Sequence, residues 1–118
     1  MEFKYKKALN LLNRKEEFNK LKSSLNDKIP IICEKDPKSD IIEMEKTKFL
    51  VNPEMNVSQF ESLIRKKLKL DKESALFFVV NGKHAIIGTQ LFYEIYEKYK
   101  DEDGFLYIAY SNEIIWGL

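Results

Sequence analysis

Residues 28–35 read KIPIICEK, and the apolar atoms of this run fall on both sides of an extended chain. Side chains along a strand alternate between faces, so Ile29, Ile31 and Cys33 share one face while Pro30 and Ile32 stand on the other. A strand with one wet face alternates apolar and polar residues; this one requires cover on both. The stretch KFLV at 48–51 has the same character, with Phe49 and Val51 on one side and Leu50 on the other. Something amphipathic must lie against each face of the sheet these strands form.

Helical segments supply that cover. Asn56 followed three residues later by Gln59 is the signature of a capping box. Behind it Val57, Phe60, Leu63, Ile64 and Leu68 recur at helical spacing, which predicts a helix to about Lys69. Residues 8–25, ALNLLNRKEEFNKLKSSL, place Leu11, Leu12, Phe18, Leu21 and Leu25 mostly on one stripe of a second helix, with a short helix expected before it around residues 2–7. ALFFVV at 75–80 is a strand that ends in the turn pair Asn81-Gly82. Thr89 is the expected cap of a helix to Lys100 that carries Leu91, Ile95 and Tyr99, DEDG at 101–104 breaks it, and FLYIAY at 105–110 is a last strand. Helices, strand, strand, helix, strand, helix, strand describes an α+β roll with a helix packed on a mixed sheet.

The 118 residues are 44% hydrophobic and 33% charged, the balance of one compact domain rather than of a disordered chain. One cysteine allows neither an internal disulfide nor a multi-thiolate metal site, which points to a reducing compartment. No apolar run approaches the ~20 residues of a membrane span, and residues 1–25 lack the apolar core of a signal peptide. A cytoplasmic chain is expected. The net charge of +1 hides an uneven distribution, because residues 1–28 hold eight bases against four acids and RKKLK follows at 65–69. Both clusters read as solvated helix faces, the second complementing a helix dipole. Nucleic-acid binding finds no support in a nearly neutral domain without a recognition motif. An enzyme reading would rest on Cys33 and His84, yet nothing pairs them, Cys33 lies on the expected core side, and no nucleophile elbow, phosphate loop or ligand cluster occurs. Neither catalysis nor a cofactor nor a metal is expected.

The segments IPIICEK (29–35), KTKFLV (46–51), VSQFESLIRKKLKL (57–70), ALFFVVN (75–81), YKDEDGFLYIAYS (99–111) and the pair Trp116-Gly117 together resemble, in order and spacing, the autophagy ubiquitin-like modifiers of the GABARAP and microtubule light-chain type. The resemblance implies a ubiquitin-like β-grasp with two additional amino-terminal helices: a helical part at 1–27, the grasp core at 28–111 and a flexible tail at 112–118. It also accounts for a glycine one residue from the end. Members of that family are trimmed by a cysteine protease to a terminal glycine, which activating and conjugating enzymes pass to phosphatidylethanolamine. Here Gly117 corresponds to that glycine and Leu118 to the residue removed; glycine allows the close backbone approach such a groove needs.

The resemblance further implies a peptide-binding edge, at which an aromatic-x-x-aliphatic motif of a receptor or adaptor adds itself as a strand. Carried over by position, its aromatic pocket comprises Glu17, Leu21, Pro30, Ile32, Lys48, Leu50 and Phe105, and its aliphatic pocket Phe49, Val51, Met55, Phe60, Leu63 and Ile64. Lys28, Lys46, Lys48 and Arg65 are then expected to meet acidic residues of the ligand. A monomer that decorates the autophagosomal membrane when lipidated follows. An unconjugated adaptor for cargo or acidic cytoskeletal surfaces is the alternative. The chain departs from the family pattern at Asn52-Pro53, in the loop NGKHAIIG at 81–88, and in residues 8–15.

Overall fold

The computed structural model of the chain describes residues 1–113. Its elements are α1 (Lys4–Ala8), α2 (Leu11–Lys22), β1 (Ile29–Lys35), β2 (Lys48–Val51), α3 (Val57–Leu68), β3 (Phe77–Val80), β4 (His84–Ile86), α4 (Phe92–Tyr99) and β5 (Leu106–Ser111). The sheet order is β2-β1-β5-β3-β4. β1 and β5 run parallel at its centre, and the other neighbours are antiparallel.

The two-faced reading of β1 holds. Ile29, Ile31 and Cys33 join Phe49 and Val51 of β2, Leu106, Ile108 and Tyr110 of β5, and Phe60, Ile64 and Leu68 of α3 in the main core. At its centre the Phe60 ring packs against Phe49, Phe78 and Phe92 with centroids 6.1, 5.3 and 5.2 Å away. On the opposite face Ile32, Phe105, Tyr107 and Ala109 pack with Phe3, Tyr5, Phe18 and Leu21 of the amino-terminal helical segment. Burial on both sides explains why the central strands read as apolar runs.

Local chemistry sets the boundaries. The capping box of α3 is complete, the Asn56 side chain accepting from the Gln59 N–H and the Gln59 side chain from the Asn56 N–H, each at 2.9 Å. Residues 8–25 are not one helix as expected. Asn10 caps α2 by accepting from the Asn13 N–H, so Ala8 belongs to α1 and the chain turns between them. α1 has no side-chain cap of its own. Glu34, reaching from the helical face of β1, takes that role by accepting from the N–H groups of Lys4 and Tyr5 at 2.7 and 3.0 Å, an arrangement that complements the helix dipole.

Three further expectations are corrected. Leu12 is 65% exposed and does not belong to the apolar stripe. The loop at 81–88 contains strand β4, joined to β3 through the three residues between Val80 and His84, where Asn81 and Gly82 have φ of 55° and 72°, the left-handed region that asparagine and glycine tolerate best. α4 begins at Phe92 rather than after Thr89, with Leu91 bridging to Asn56. Among the described residues no helix is long and apolar enough to cross a membrane.

Arg14 is the largest departure. Expected on a solvated basic face, it is buried, and its Nε donates to Asp103 Oδ2 at 2.8 Å. Asp103 also accepts from the Phe105 N–H and the Tyr107 hydroxyl, while Arg14 donates to the Leu9 carbonyl. This cluster locks α2 to the start of β5. Beside it Gly104, at φ 100°, faces the Phe18 ring so closely that an added Cβ would lie 2.5 Å from it, so only glycine allows α2 to settle there.

Candidate functional site

β2 lies at the edge of the sheet and, among the described residues, pairs only with β1. The Cys33 N–H donates to the Thr47 carbonyl at 2.7 Å, which makes Cys33 and Thr47 a hydrogen-bonded pair. Antiparallel pairs alternate, so in the observed register Ile31–Phe49 and Ile29–Val51 are also bonded. Pro30–Leu50 and Ile32–Lys48 are not. The main-chain N–H and C=O groups of Lys48 and Leu50 therefore point outward, away from the sheet. Proline fits at position 30 because its nitrogen faces β5 before that pairing begins at Ile31–Leu106.

The approach to β2 is held in place. The Tyr110 hydroxyl donates to the Ile42 carbonyl and accepts from the Met44 N–H at 2.8 Å, and burial pushes its pKa up to about 12. It stays neutral and keeps both bonds at physiological pH. At the other end Asn52 accepts from the Glu54 N–H through its side chain, and the Pro53 and Met55 carbonyls accept from Tyr93 and Phe92 at the start of α4. The departure at Asn52-Pro53 thus forms a turn tied to α4.

The residues expected at the aromatic pocket converge on the helical face. Ile32 and Phe105 form a fully buried floor, Pro30 is buried beside them, Glu17 and Leu21 of α2 are half-buried, and Leu50 is 44% exposed at the rim. Lys48 lies across this floor, its Nζ 4.8 Å from the Tyr5 ring centroid and 6.0 Å from that of Phe105. The aliphatic set is gathered less openly. Phe49, Val51, Phe60 and Ile64 are core residues, and only Met55 and Leu63 are partly exposed. Access for a ligand side chain on this face depends on those two.

The four expected cations diverge. Lys48 sits at the edge, and Lys46 reaches over the Phe49 ring at 5.2 Å. Lys28 instead borders a groove of about 470 Å³ between the end of α2 and α4, shared with Tyr93 and Lys100. Arg65 has internal partners, its Nε donating to Glu61 at 2.9 Å and its Nη1 to the Asp71 and Ser74 carbonyls at 3.2 and 2.7 Å, so it secures the connection from α3 to β3.

Cys33 is fully buried in the main core, where burial raises the thiol pKa far above its ordinary value and keeps it protonated. His84, on β4, is three strand spacings away, across β5 and β3, roughly 14 Å. Its ring stacks on Tyr99 with centroids 4.7 Å apart. The two do not form a catalytic pair. No group of three or more acidic, histidine or cysteine side chains suited to a metal occurs among the described residues. Trp116, Gly117 and Leu118 lie outside the described residues.

Sequence reasoning overlooked Tyr5. Its ring packs edge-on to Phe105 at 5.4 Å beneath the Lys48 ammonium, and its position in α1, separated from the pocket residues by a turn at Leu9–Asn10, gave no periodic signal.

A five-stranded mixed sheet with α3 on one face and two added amino-terminal helices on the other defines a ubiquitin-like β-grasp protein with an open edge at β2. The family model described as "Autophagy protein Atg8 ubiquitin like" matches residues 13–117. "Autophagy-related protein 8" of Cochliobolus heterostrophus is 44% identical over 117 residues, covering 99% of this chain and 98% of that one. The protein of the same name from Pichia angusta is 46% identical over 104 residues, 88% of this chain and 82% of its own. The crystal structure of Trypanosoma brucei ATG8 superimposes with a TM-score of 0.86 at 42% identity, covering 99% of this chain and all of that one. The chain belongs to the ATG8 family of autophagy ubiquitin-like proteins.

Proposed function

We propose that this modifier is trimmed between Gly117 and Leu118, joined through Gly117 to phosphatidylethanolamine by activating and conjugating enzymes, and recruits receptors and adaptors to the autophagosomal membrane. It acts as a tag and adaptor rather than as an enzyme, passing from the cytoplasm to that membrane on conjugation. Residues 28–111 carry the binding edge, residues 1–27 wall its aromatic pocket, and residues 112–118 serve as the tail presented to the processing protease.

The outward main-chain groups of Lys48 and Leu50 carry this reading. They offer an incoming strand hydrogen bonds between a pocket on the helical face and another on the α3 face, which is the geometry of strand addition. One aromatic and one aliphatic anchor two residues beyond its neighbour face opposite sides of such a strand, as the alternation of side chains requires. Lys46 and Lys48 provide positive charge for acidic residues beside the motif and also guard an exposed edge against unwanted pairing.

Binding of a Trp-x-x-Leu peptide to the full chain, followed by calorimetry, tests the edge. Leu50→Ala removes rim contact and is expected to weaken binding about tenfold. Lys48→Glu should weaken it as much at physiological salt, and the loss should shrink as salt is raised. Unchanged affinity in both variants would reject the pocket assignment.

A further inference from the structure

β4 is the second margin of the sheet and, among the described residues, pairs only with β3. Residues 84–90, HAIIGTQ, hold no lysine, arginine or acid, and Ile87 is 71% exposed. β2 has lysines to guard it, whereas an uncharged edge of this kind invites pairing with another chain. The main-chain groups of β4 show how it is closed. The Asn81 N–H donates to the Tyr107 carbonyl at 3.0 Å, so Asn81 and Val79 bond toward β5, and Phe78 and Val80 toward β4. In the observed register Val80–His84 and Phe78–Ile86 are then bonded pairs, and the groups of Lys83, Ala85 and Ile87 fall on the outer side.

Two of those three residues are already engaged. Lys83 turns its N–H back to the Val80 carbonyl at 3.0 Å. The Ile87 N–H donates to Gln90 Oε1 at 2.7 Å, and the Ile87 carbonyl accepts from the Gln90 N–H at 3.3 Å. Gln90 thus bonds both main-chain groups of Ile87, as a neighbouring strand would. It is itself anchored, since its carbonyl and that of Gly88 accept from the Val57 and Ser58 N–H groups in the first turn of α3, each at 3.0 Å. Ala85 alone keeps an outward N–H and carbonyl without a partner among the described residues, where β2 offers two such residues in alternation. We propose that Gln90 is a specificity-determining residue that seals the β4 margin by occupying Ile87 and so confines strand addition to β2. With the seal removed, β4 pairs antiparallel with β4 of a second copy. Centred on Ile86, such pairing sets Ala85 opposite Ile87 of the second copy, a self-complementary contact that closes at two chains. The seal is testable without peptide, so its failure and that of the binding reading at β2 are distinct.

The test compares the full chain with Gln90→Ala and Gln90→Glu, the second of which keeps a side-chain acceptor at the same reach. Gln90 is exposed, so neither change disturbs the core. Amide exchange at Ile87 should be about fivefold faster in Gln90→Ala, the scale of one lost hydrogen bond, and unchanged in Gln90→Glu. Sedimentation equilibrium at millimolar concentration should find wild type and Gln90→Glu monomeric and Gln90→Ala shifted toward dimer. Adding Ala85→Lys to Gln90→Ala sets a charge at an exposed position of the freed edge and should restore the monomer. A monomeric Gln90→Ala, or one whose Ile87 exchanges no faster than in wild type, would overturn the proposal. So would a dimer formed equally by wild type or Gln90→Glu, or one that persists when Ala85→Lys is added, because the contact would then lie elsewhere.

Discussion

Asp103→Ala is expected to destabilise the chain by about 3–5 kcal/mol, the range for removing one member of a buried ion pair. The Asp103 side chain is fully enclosed and that of Arg14 only 10% exposed. Alanine at 103 strips an acceptor from three donors at once: the Arg14 guanidinium, the Phe105 N–H and the Tyr107 hydroxyl. Arg14→Met should be milder, because the carboxylate then keeps two of those donors and the methionine fills the space left by the arginine stem. Denaturant unfolding of both variants measures this order directly. The cluster joins α2 to the start of β5, so the loss should be accompanied by faster amide exchange in α2 than in α3. Equal stability of wild type and Asp103→Ala would mean that the pair does not hold the helical segment in place.

Gly117→Ala is expected to abolish both trimming and lipid transfer, by at least ~100-fold, the scale on which a small displacement at a reacting centre reduces rate. The proposed reaction brings the carbonyl carbon of residue 117 against a cysteine thiolate twice: first in the protease, where the amine of Leu118 leaves, and then in the activating enzyme, where the freed carboxylate is first joined to a nucleotide phosphate from ATP and that phosphate leaves as the thioester forms. A Cβ at that residue obstructs the approach and removes the backbone freedom that glycine provides. Mass spectrometry of the chain after incubation with the processing protease reads the first step, and the lipidated fraction after adding the conjugating enzymes and phosphatidylethanolamine vesicles reads the second. A chain ending at Gly117 should bypass the protease and still be conjugated. Normal lipidation of Gly117→Ala would remove the proposed chemistry of the tail while leaving the binding edge untouched.

The elements with strong local chemistry were legible in the sequence. The two-faced run at 28–35 predicted cover on both sides of the sheet, and Asn56 with Gln59 marked the start of α3 because the residues that satisfy its first N–H groups are neighbours in the chain. What was hidden depended on distant partners. Arg14 looks like any cation on a charged helix until Asp103, 89 residues later, is folded against it. Position alone places Arg65 to meet acidic residues of a ligand, and nothing near it in the chain signals that its Nη1 donates to two carbonyls beyond α3. β4 has three residues, two of them exposed, and so lacks the alternation that identifies a longer strand. Of the candidate site, the split of Pro30, Ile32 and Leu50 from Phe49 and Val51 followed from strand parity alone. Tyr5 did not, because it reaches the pocket from another helix.

The alternation of main-chain groups along β2 also provides the most direct test of the binding edge. Amide hydrogen exchange is measured on the full chain with and without a saturating Trp-x-x-Leu peptide. The N–H groups of Phe49 and Val51, already bonded to β1, should be protected in both samples, whereas those of Lys48 and Leu50 should become protected only when peptide is present. Bound peptide with Lys48 and Leu50 exchanging as fast as before would contradict strand addition at β2.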